Sequence, residues 1–130
     1  MADRTTPRTI TVLGITLQLA KGEHYAGLIL NADGTPMHHL VLLPGDNDGA
    51  SWAAQTAWAE SLGGDLPTRP EQALLYANCK AQFKADWYWS NTQHAEDSDY
   101  AWSQGFYGGY QLSLNESAQL RARAVRRLPI

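Results

Sequence analysis

Trp87-Tyr-Trp-Ser-Asn-Thr92 is the most informative segment of this sequence for the architecture of the protein. Its aromatic composition predicts a short strand, and its two tryptophans can bury enough area to anchor a core. Ala101-Trp-Ser-Gln-Gly-Phe106 alternates aromatic with small polar residues and predicts a second strand. Tyr107-Gly-Gly-Tyr110 predicts a two-glycine reversal, after which residues 110–114 return as a third strand.

Two helices are predicted ahead of these strands. Residues 46–51 contain several residue types that cap helices, and Gly63-Gly64 is typical of a helix end. Between them, apolar residues recur at spacings of three and four, which predicts one buried stripe. The residues of this stripe are Ala54, Ala57, Trp58 and Leu62. Trp58 is expected to anchor it in the core.

The second helix has a strong N-terminal signal. Thr68-Arg-Pro-Glu71 has the form of a capping box, in which the Thr hydroxyl and the Glu carboxylate each accept an otherwise unpaired backbone N–H. Proline in that first turn loses no needed hydrogen bond. The predicted buried face consists of Ala73, Leu74, Ala77 and Ala81. Cys79 is expected to be a small buried residue rather than a nucleophile.

The first third of the chain predicts antiparallel strands. Residues 9–19 contain two β-branched and leucine-rich runs separated at Gly14, where we expect a turn or bulge. Residues 25–30 and 37–43 flank Asn31-Ala-Asp-Gly-Thr-Pro36. Because Asp-Gly supplies the positive φ of a tight reversal, these two runs predict a hairpin.

One more strand is predicted near the end, Leu120-Arg-Ala-Arg-Ala-Val-Arg126. Strand alternation places Leu120, Ala122 and Ala124 on one face, and Arg121 and Arg123 on the other. Two alternatives are open for the arginines of this segment, burial through hydrogen bonds to loop carbonyls or a solvated stripe. We favour a structural role for Arg123. Strands, then two helices packed on them, then short antiparallel strands predict an α+β fold. The length predicts a single domain spanning residues 1–130.

Four of these segments occur in the order seen in one known group. They are Leu66-Pro-Thr-Arg-Pro-Glu71, residues 87–92, residues 101–106 and residues 120–126. Together they resemble the C-type-lectin-like domains of the sulfatase-modifying-factor and Legionella collagen-like-protein C-terminal group, which includes bacterial and phage proteins. The resemblance covers residues 45–127 and implies a C-type-lectin-like fold, preceded by N-terminal strands in residues 1–44.

The aromatic residues are concentrated in one part of the chain. Twelve of the thirteen lie between Trp52 and Tyr110. The tryptophans suit the scaffold of such a fold, because each buries a large area. The residues to which we assign a structural role are Trp58, Thr68, Glu71, Trp87, Trp89, Trp102 and Arg123.

Composition limits the classes of partner. Thirteen acidic and ten basic side chains give a formal charge of −3, which has the wrong sign for binding nucleic-acid phosphates. The N-terminus lacks the features of a signal peptide, and no apolar run reaches the roughly 18 residues of a membrane span. With Cys79 as the only cysteine, we expect a cytoplasmic protein or, if phage-encoded, a virion component.

Gln93-His-Ala-Glu-Asp-Ser-Asp-Tyr100 joins two predicted strands, and the resemblance implies that loops of this region form the ligand face. A solvated connector is the alternative, because Asp and Ser are common in loops. Its carboxylates and His94 could ligate calcium or zinc, but their spacing identifies no metal. The Glu-Pro-Asn motif of calcium-dependent lectins is absent, and no cofactor is predicted.

We predict a non-enzymatic binding domain that recognises a protein or surface ligand through an aromatic and acidic face. Tyrosine suits such a face, because it offers large area at low cost in rotamer entropy. The candidate contact residues are Tyr88, Asn91, Gln93, His94, Asp97, Asp99, Tyr100, Tyr107 and Tyr110. The resemblance is compatible with a receptor-binding virion component or a binder of a host factor, and with a homo-oligomer formed through the N-terminal strands.

Two alternatives stay open. The first is a metal-dependent oxidoreductase of the formylglycine-generating type with a reduced site. Those enzymes hold copper with paired cysteines, whereas this chain has only Cys79, and its four histidines have no recognisable two-His-one-carboxylate spacing. The second alternative is a calcium-stabilised carbohydrate binder. No catalytic residue is predicted.

Overall fold

A computed structural model describes residues 7–130, which form ten strands, two α-helices and one short 3₁₀-helix. The strands before the helices are β1 (Arg8–Val12), β2 (Ile15–Leu19), β3 (His24–Leu30), β4 (Pro36–Leu42) and β5 (Asn47–Ala50). The helices are α1 (Trp52–Ser61), α2 (Arg69–Cys79) and the 3₁₀-helix Lys80–Gln82. The later strands are β6 (Trp87–Gln93), β7 (Tyr100–Gly105), β8 (Gln111–Asn115), β9 (Leu120–Ala122) and β10 (Val125–Pro129). No helix in this range is long and apolar enough to cross a membrane.

The α+β class predicted from the sequence, with its C-type-lectin-like arrangement, is wrong. The protein is mostly β, with its strands in three sheets and helices making up only 19% of the chain. Of residues 46–51, which are predicted to contain a helix cap, Ser51 does cap α1, whereas Asn47–Ala50 forms β5 and pairs with β9. The single strand expected at residues 120–126 is two strands, β9 and β10, which belong to different sheets.

The three sheets are built mainly from antiparallel neighbours. The predicted β3–β4 hairpin is confirmed, and β10 adds to it in the order β10-β4-β3. β1 and β2 form a separate two-stranded hairpin. The third sheet has the order β5-β9-β6-β7-β8, in which β6 and β9 run parallel. The last strand, β10, therefore pairs with the β3–β4 hairpin and not with the sheet that contains β6.

Helix α1 begins where predicted but buries a different face. The Ser51 side chain accepts from the backbone N–H of Ala54 and caps the helix. The buried residues are Gln55 and Ala59, whereas Ala54 and Leu62 are exposed, as is Ala57. Gln55 can be buried because its Nε2 donates to two carbonyls of neighbouring short strands, those of Asp48 in β5 and Leu120 in β9. Trp58 lies half-buried against the core.

Helix α2 has the predicted capping box but also buries an unexpected face. Its buried residues are Glu71, Gln72, Leu75 and Cys79. Of the face predicted from alanine spacing, Ala73, Ala77 and Ala81 are exposed and Leu74 is half-buried. Gln72 faces inward because its Nε2 donates to the carbonyl of Tyr88, at 3.0 Å. The buried face of this helix therefore combines Leu75 and Cys79, which enter the core, with two polar side chains that have hydrogen-bond partners.

Two hydrophobic cores lie between the helices and the sheets. The first contains Leu40 and Leu42 of β4, Leu75 of α2, Tyr88 and Phe106. The second surrounds Trp89 of β6, and both Trp52 and Trp58 of α1 pack against it. Successive residues of β6 thus enter opposite cores, as the two-residue period of a strand requires.

Candidate binding face

The turn between β7 and β8 displays two tyrosines. Tyr107 is 82% exposed and Tyr110 is 72% exposed, and they flank Gly108-Gly109. Gly109 adopts a φ of 83°, which favours glycine, so the reversal predicted from this sequence is present. Large aromatic side chains at such exposure leave apolar area in water that a partner could cover.

The turn that carries these tyrosines is held firmly on the body of the protein. Phe106 is buried and stacks on Phe83, with ring centroids 3.8 Å apart. The Phe106 N–H donates to the Asp86 carbonyl at 2.9 Å. A Cβ at Gly109 would lie 3.0 Å from the ring of Tyr76, so the backbone of the turn packs closely on this side chain of α2. The tyrosines are thus exposed on a fixed base.

A groove of about 420 Å³ opens beside the turn. Trp87 faces Gly105 across β6 and β7, and its ring lies so close that a Cβ at Gly105 would be 3.0 Å away. The residues that line the groove are Ala85, Asp86, Trp87, Gly105, Tyr107, Gly108 and Tyr110. We call this feature the aromatic groove.

One end of the aromatic groove is acidic. The Asp86 side chain is 55% exposed, and its Oδ2 lies 3.4 Å from Nε of Arg121. Arg121 also contacts Asp46 and Asp48, each at 3.0 Å. Three carboxylates therefore share one guanidinium, and the Asp48 carboxylate is 93% exposed. This cluster has an excess of negative charge that would attract a cation.

Tyr88 and Asn91, predicted as contact residues, do not belong to an exposed face. Tyr88 is 1% exposed, and its hydroxyl donates to Asp46 and accepts from the backbone N–H of Lys84. Burial, with the hydrogen bond to Asp46, raises the pKa of Tyr88 far above its ordinary value. The Asn91 amide donates to Asp65 at 3.2 Å. The polar groups of both side chains are therefore bonded to other parts of the protein.

The predicted acidic loop, residues 93–100, lies at the opposite end of β7 from the aromatic groove. Counted along the strand, β7 separates the two by about 17 Å. Several polar groups of the loop bond to one another: Asp97 accepts from Asp99 N at 3.1 Å, and His94 Nδ1 from Glu96 N at 3.2 Å. Gln93 donates to Ser98 O and Glu116. The structure therefore does not bring Gln93, His94, Asp97, Asp99 and Tyr100 together with Tyr107 and Tyr110.

The residues assigned to the scaffold occupy varied positions. Trp89 is fully buried, whereas Trp102 is half-buried under the guanidinium of Arg69, which lies 3.5 Å from the ring centroid. His94 also stacks on Trp102. Arg123 is buried and donates to the carbonyls of Leu43 and Gln82.

Trp87 and Asp86 are two groove residues that the sequence analysis does not predict as contacts. Trp87 was assigned to the core, but it is half-buried and forms a wall of the groove. Finding it from the sequence would have required the register that places Trp87 opposite Gly105. Within residues 7–130 there is no group of three or more His, Cys, Asp or Glu side chains arranged to hold a metal ion.

Comparison with known proteins adds no relative. No family model matches this chain, and no curated protein matches it. The resemblance to sulfatase-modifying-factor-like proteins therefore stays a prediction from its four segments.

Proposed function

We propose that this protein is a non-enzymatic binding domain that recognises a protein ligand through the aromatic groove. The observation that carries this proposal is the exposure of Tyr107 and Tyr110 on a turn fixed by buried Phe106. Because the turn backbone is already held in place, it loses little conformational freedom on binding, and a tyrosine side chain has few rotamers to lose.

The acidic loop is left out of the proposed face. Its backbone and side-chain groups are largely paired within the loop, and it stands at the far end of β7. A ligand would have to span the length of that strand to contact both regions. The aromatic groove offers adjacent aromatic rings and a charged end.

A peptide selection tests the proposal. A library of random linear peptides would be selected on the immobilised intact protein and counter-selected on the double variant Tyr107→Ala/Tyr110→Ala. We expect enriched peptides to bind the double variant about tenfold or more weakly, because exposed tyrosines of this kind are common hot spots. The matched control is Tyr100→Ala, which removes an exposed tyrosine of the acidic loop.

The melting temperatures of both variants keep the test interpretable. Because Tyr107 and Tyr110 are largely exposed, we expect the double variant to melt within a few degrees of the parent. Peptides that bind the parent and the double variant equally, with both proteins folded, would contradict the proposed function.

A further inference from the structure

The walls of the aromatic groove offer hydrogen-bond donors that the protein itself does not use. Among residues 7–130, neither the Trp87 indole N–H nor the hydroxyl groups of Tyr107 and Tyr110 have a hydrogen-bond partner. By contrast, Trp52 Nε1 donates to the Ser90 carbonyl and Trp89 Nε1 to the Ala50 carbonyl, at 2.8 and 3.0 Å. The groove thus combines apolar ring faces with donors at their edges.

A polyproline II segment has the complementary chemistry. It makes no internal hydrogen bonds, so its carbonyl groups remain available as acceptors, and proline residues have no N–H that needs an acceptor in the groove. Proline rings pack on aromatic rings, and the conformation exists before binding, which lowers the entropy cost. The Trp87 ring lies over Gly105 and the Tyr110 ring lies over Gly108, so aromatic rings rather than bare backbone form this part of the groove.

The acidic end specifies one further property of the ligand. Asp86 lines the groove, and Asp46 and Asp48 share its partner Arg121. The buried Tyr88 hydroxyl stays neutral because its pKa is raised, so it adds no charge of its own to this end. A Lys or Arg at one end of the ligand would compensate the excess negative charge.

We propose that the aromatic groove binds a proline-rich protein segment in the polyproline II conformation, with a basic residue of that segment directed to Asp86. This inference rests on the proposed function and adds the class of partner. The rings of Trp87, Tyr107 and Tyr110 contact the prolines, the Trp87 indole N–H donates to a ligand carbonyl, and Asp86 fixes the orientation of the peptide.

A titration of the intact ¹⁵N-labelled protein with a synthetic arginyl-hexaproline amide tests this inference. We expect saturable shifts of the Trp87 indole N–H signal, assigned with the variant Trp87→Phe, and no shift with an arginyl glycine–serine peptide of equal length. Tyr107→Ala/Tyr110→Ala should weaken binding about tenfold or more, and Tyr100→Ala should leave it unchanged.

The contact between Asp86 and the basic residue of the ligand is tested by comparing two peptides. Asp86→Asn should weaken binding of arginyl-hexaproline by about threefold to tenfold, and it should not change binding of alanyl-hexaproline. Equal effects on both peptides would overturn the assigned direction of the basic residue. Maltotriose serves as the competing probe, and shifts of the Trp87 signal with maltotriose but not with the peptide would overturn the partner class.

The selection described above separates the two proposals. Selected peptides that depend on Tyr107 and Tyr110 but lack proline would support the binding face and overturn the polyproline inference. The absence of any peptide that distinguishes the parent from the double variant, together with a failed titration, would overturn both. Binding of arginyl-hexaproline that survives the double variant would overturn the placement of the ligand in this groove.

Discussion

Glu71 in the first turn of α2 accepts hydrogen bonds from both Nε and Nη2 of Arg127 in β10, each at 2.7 Å. The Glu71 side chain is fully buried, and its remaining contacts are with His38 Nε2 and the backbone N–H of Thr68. Arg127 also donates to Asp65 at 2.9 Å. One buried carboxylate therefore links the capping box of a helix to two strands of the three-stranded sheet.

Removing Arg127 should destabilise the protein strongly. In Arg127→Met the Glu71 carboxylate would stay buried without its main partner, and we expect a loss of about 3–5 kcal/mol in the free energy of unfolding. Urea unfolding followed by tryptophan fluorescence measures this loss. The exposed Lys84→Met is the control and should change stability by less than about 0.5 kcal/mol.

The double variant Arg127→Met/Glu71→Gln tests whether the unpaired charge of Glu71 causes the loss of stability in Arg127→Met. Because glutamine carries no charge, burying it without Arg127 costs less than burying the carboxylate, and the double variant should be more stable than Arg127→Met alone. A double variant that is less stable than Arg127→Met would contradict the role given to the buried charge.

Acid should destabilise the protein through its paired glutamates. Burial alone would raise the pKa of Glu71, but hydrogen bonds from Arg127 and the Thr68 amide lower it below the ordinary value of 4.5. Burial is likewise outweighed at Glu23, where the hydrogen bonds from Arg126 and then Ala20 lower the pKa. Both carboxyls are more acidic in the folded state, so the unfolded state binds more protons as the pH falls.

The stabilisation from these two groups is therefore complete above about pH 4.5 and is lost as the pH falls through the lowered folded-state pKa values. Urea unfolding at a series of pH values should show a falling free energy of unfolding below that point. Glu71→Gln should give a shallower fall than the parent protein. Stability that increases on acidification below pH 4.5 would contradict this assignment.

The sequence predicts those parts of the fold that depend on residues close together in the chain. The capping box at Thr68 and the Asp33-Gly34 reversal depend on residues that are close in the chain, and both are present. The identity of β5 depends on a distant partner, because Asn47–Ala50 has the composition of a turn and becomes a strand beside β9. The fold class was wrong because such long-range pairings leave no local pattern.

In the candidate site, too, the sequence predicts what depends on neighbouring residues and misses what depends on distant ones. Two glycines between Tyr107 and Tyr110 predict an exposed turn, and the structure has one. The sequence cannot tell that Tyr88 faces a core and bonds to Asp46, because nothing local shows that both sides of β6 are covered. It also placed the acidic loop and the turn on one face, although the length of β7 between them separates the two.

Adjacent glycines after α1 should respond very differently to substitution. A Cβ at Gly64 would lie 2.7 Å from both Leu43 Cδ1 and the Val125 carbonyl oxygen. This carbonyl accepts the Asp65 N–H at 3.0 Å, so Gly64→Ala would disturb the contact between the α1–α2 connection and β10. We expect a loss of about 3 kcal/mol.

Gly63→Ala is the matched control. Its Cβ would meet no atom within 4 Å, and only the φ of 75° opposes the substitution. This conformation costs an alanine about 1 kcal/mol. In thermal and urea unfolding, Gly64→Ala should therefore be much less stable than Gly63→Ala. Equal losses of stability would contradict the packing described for Gly64.

Leu13 offers a position where substitution should stabilise the protein. The β1–β2 hairpin reverses at Leu13-Gly14, where φ is 53° and 75°, and two positive φ values are what a type I′ turn requires. Leucine is disfavoured in this conformation, its side chain is 60% exposed, and Asn-Gly is the favoured sequence for such a turn. We therefore expect Leu13→Asn to stabilise the hairpin by about 0.5–1 kcal/mol.

Hydrogen exchange can measure this gain where it arises, because a two-stranded hairpin can open without global unfolding. Backbone amides of β1 and β2 that form the ladder should exchange about twofold to fivefold more slowly in Leu13→Asn, in proportion to the added stability. Thr16→Asn, an exposed polar substitution in β2 beyond the turn, is the control and should not slow exchange. Faster exchange in Leu13→Asn would mean that the leucine side chain contributes more to the hairpin than its strained backbone costs.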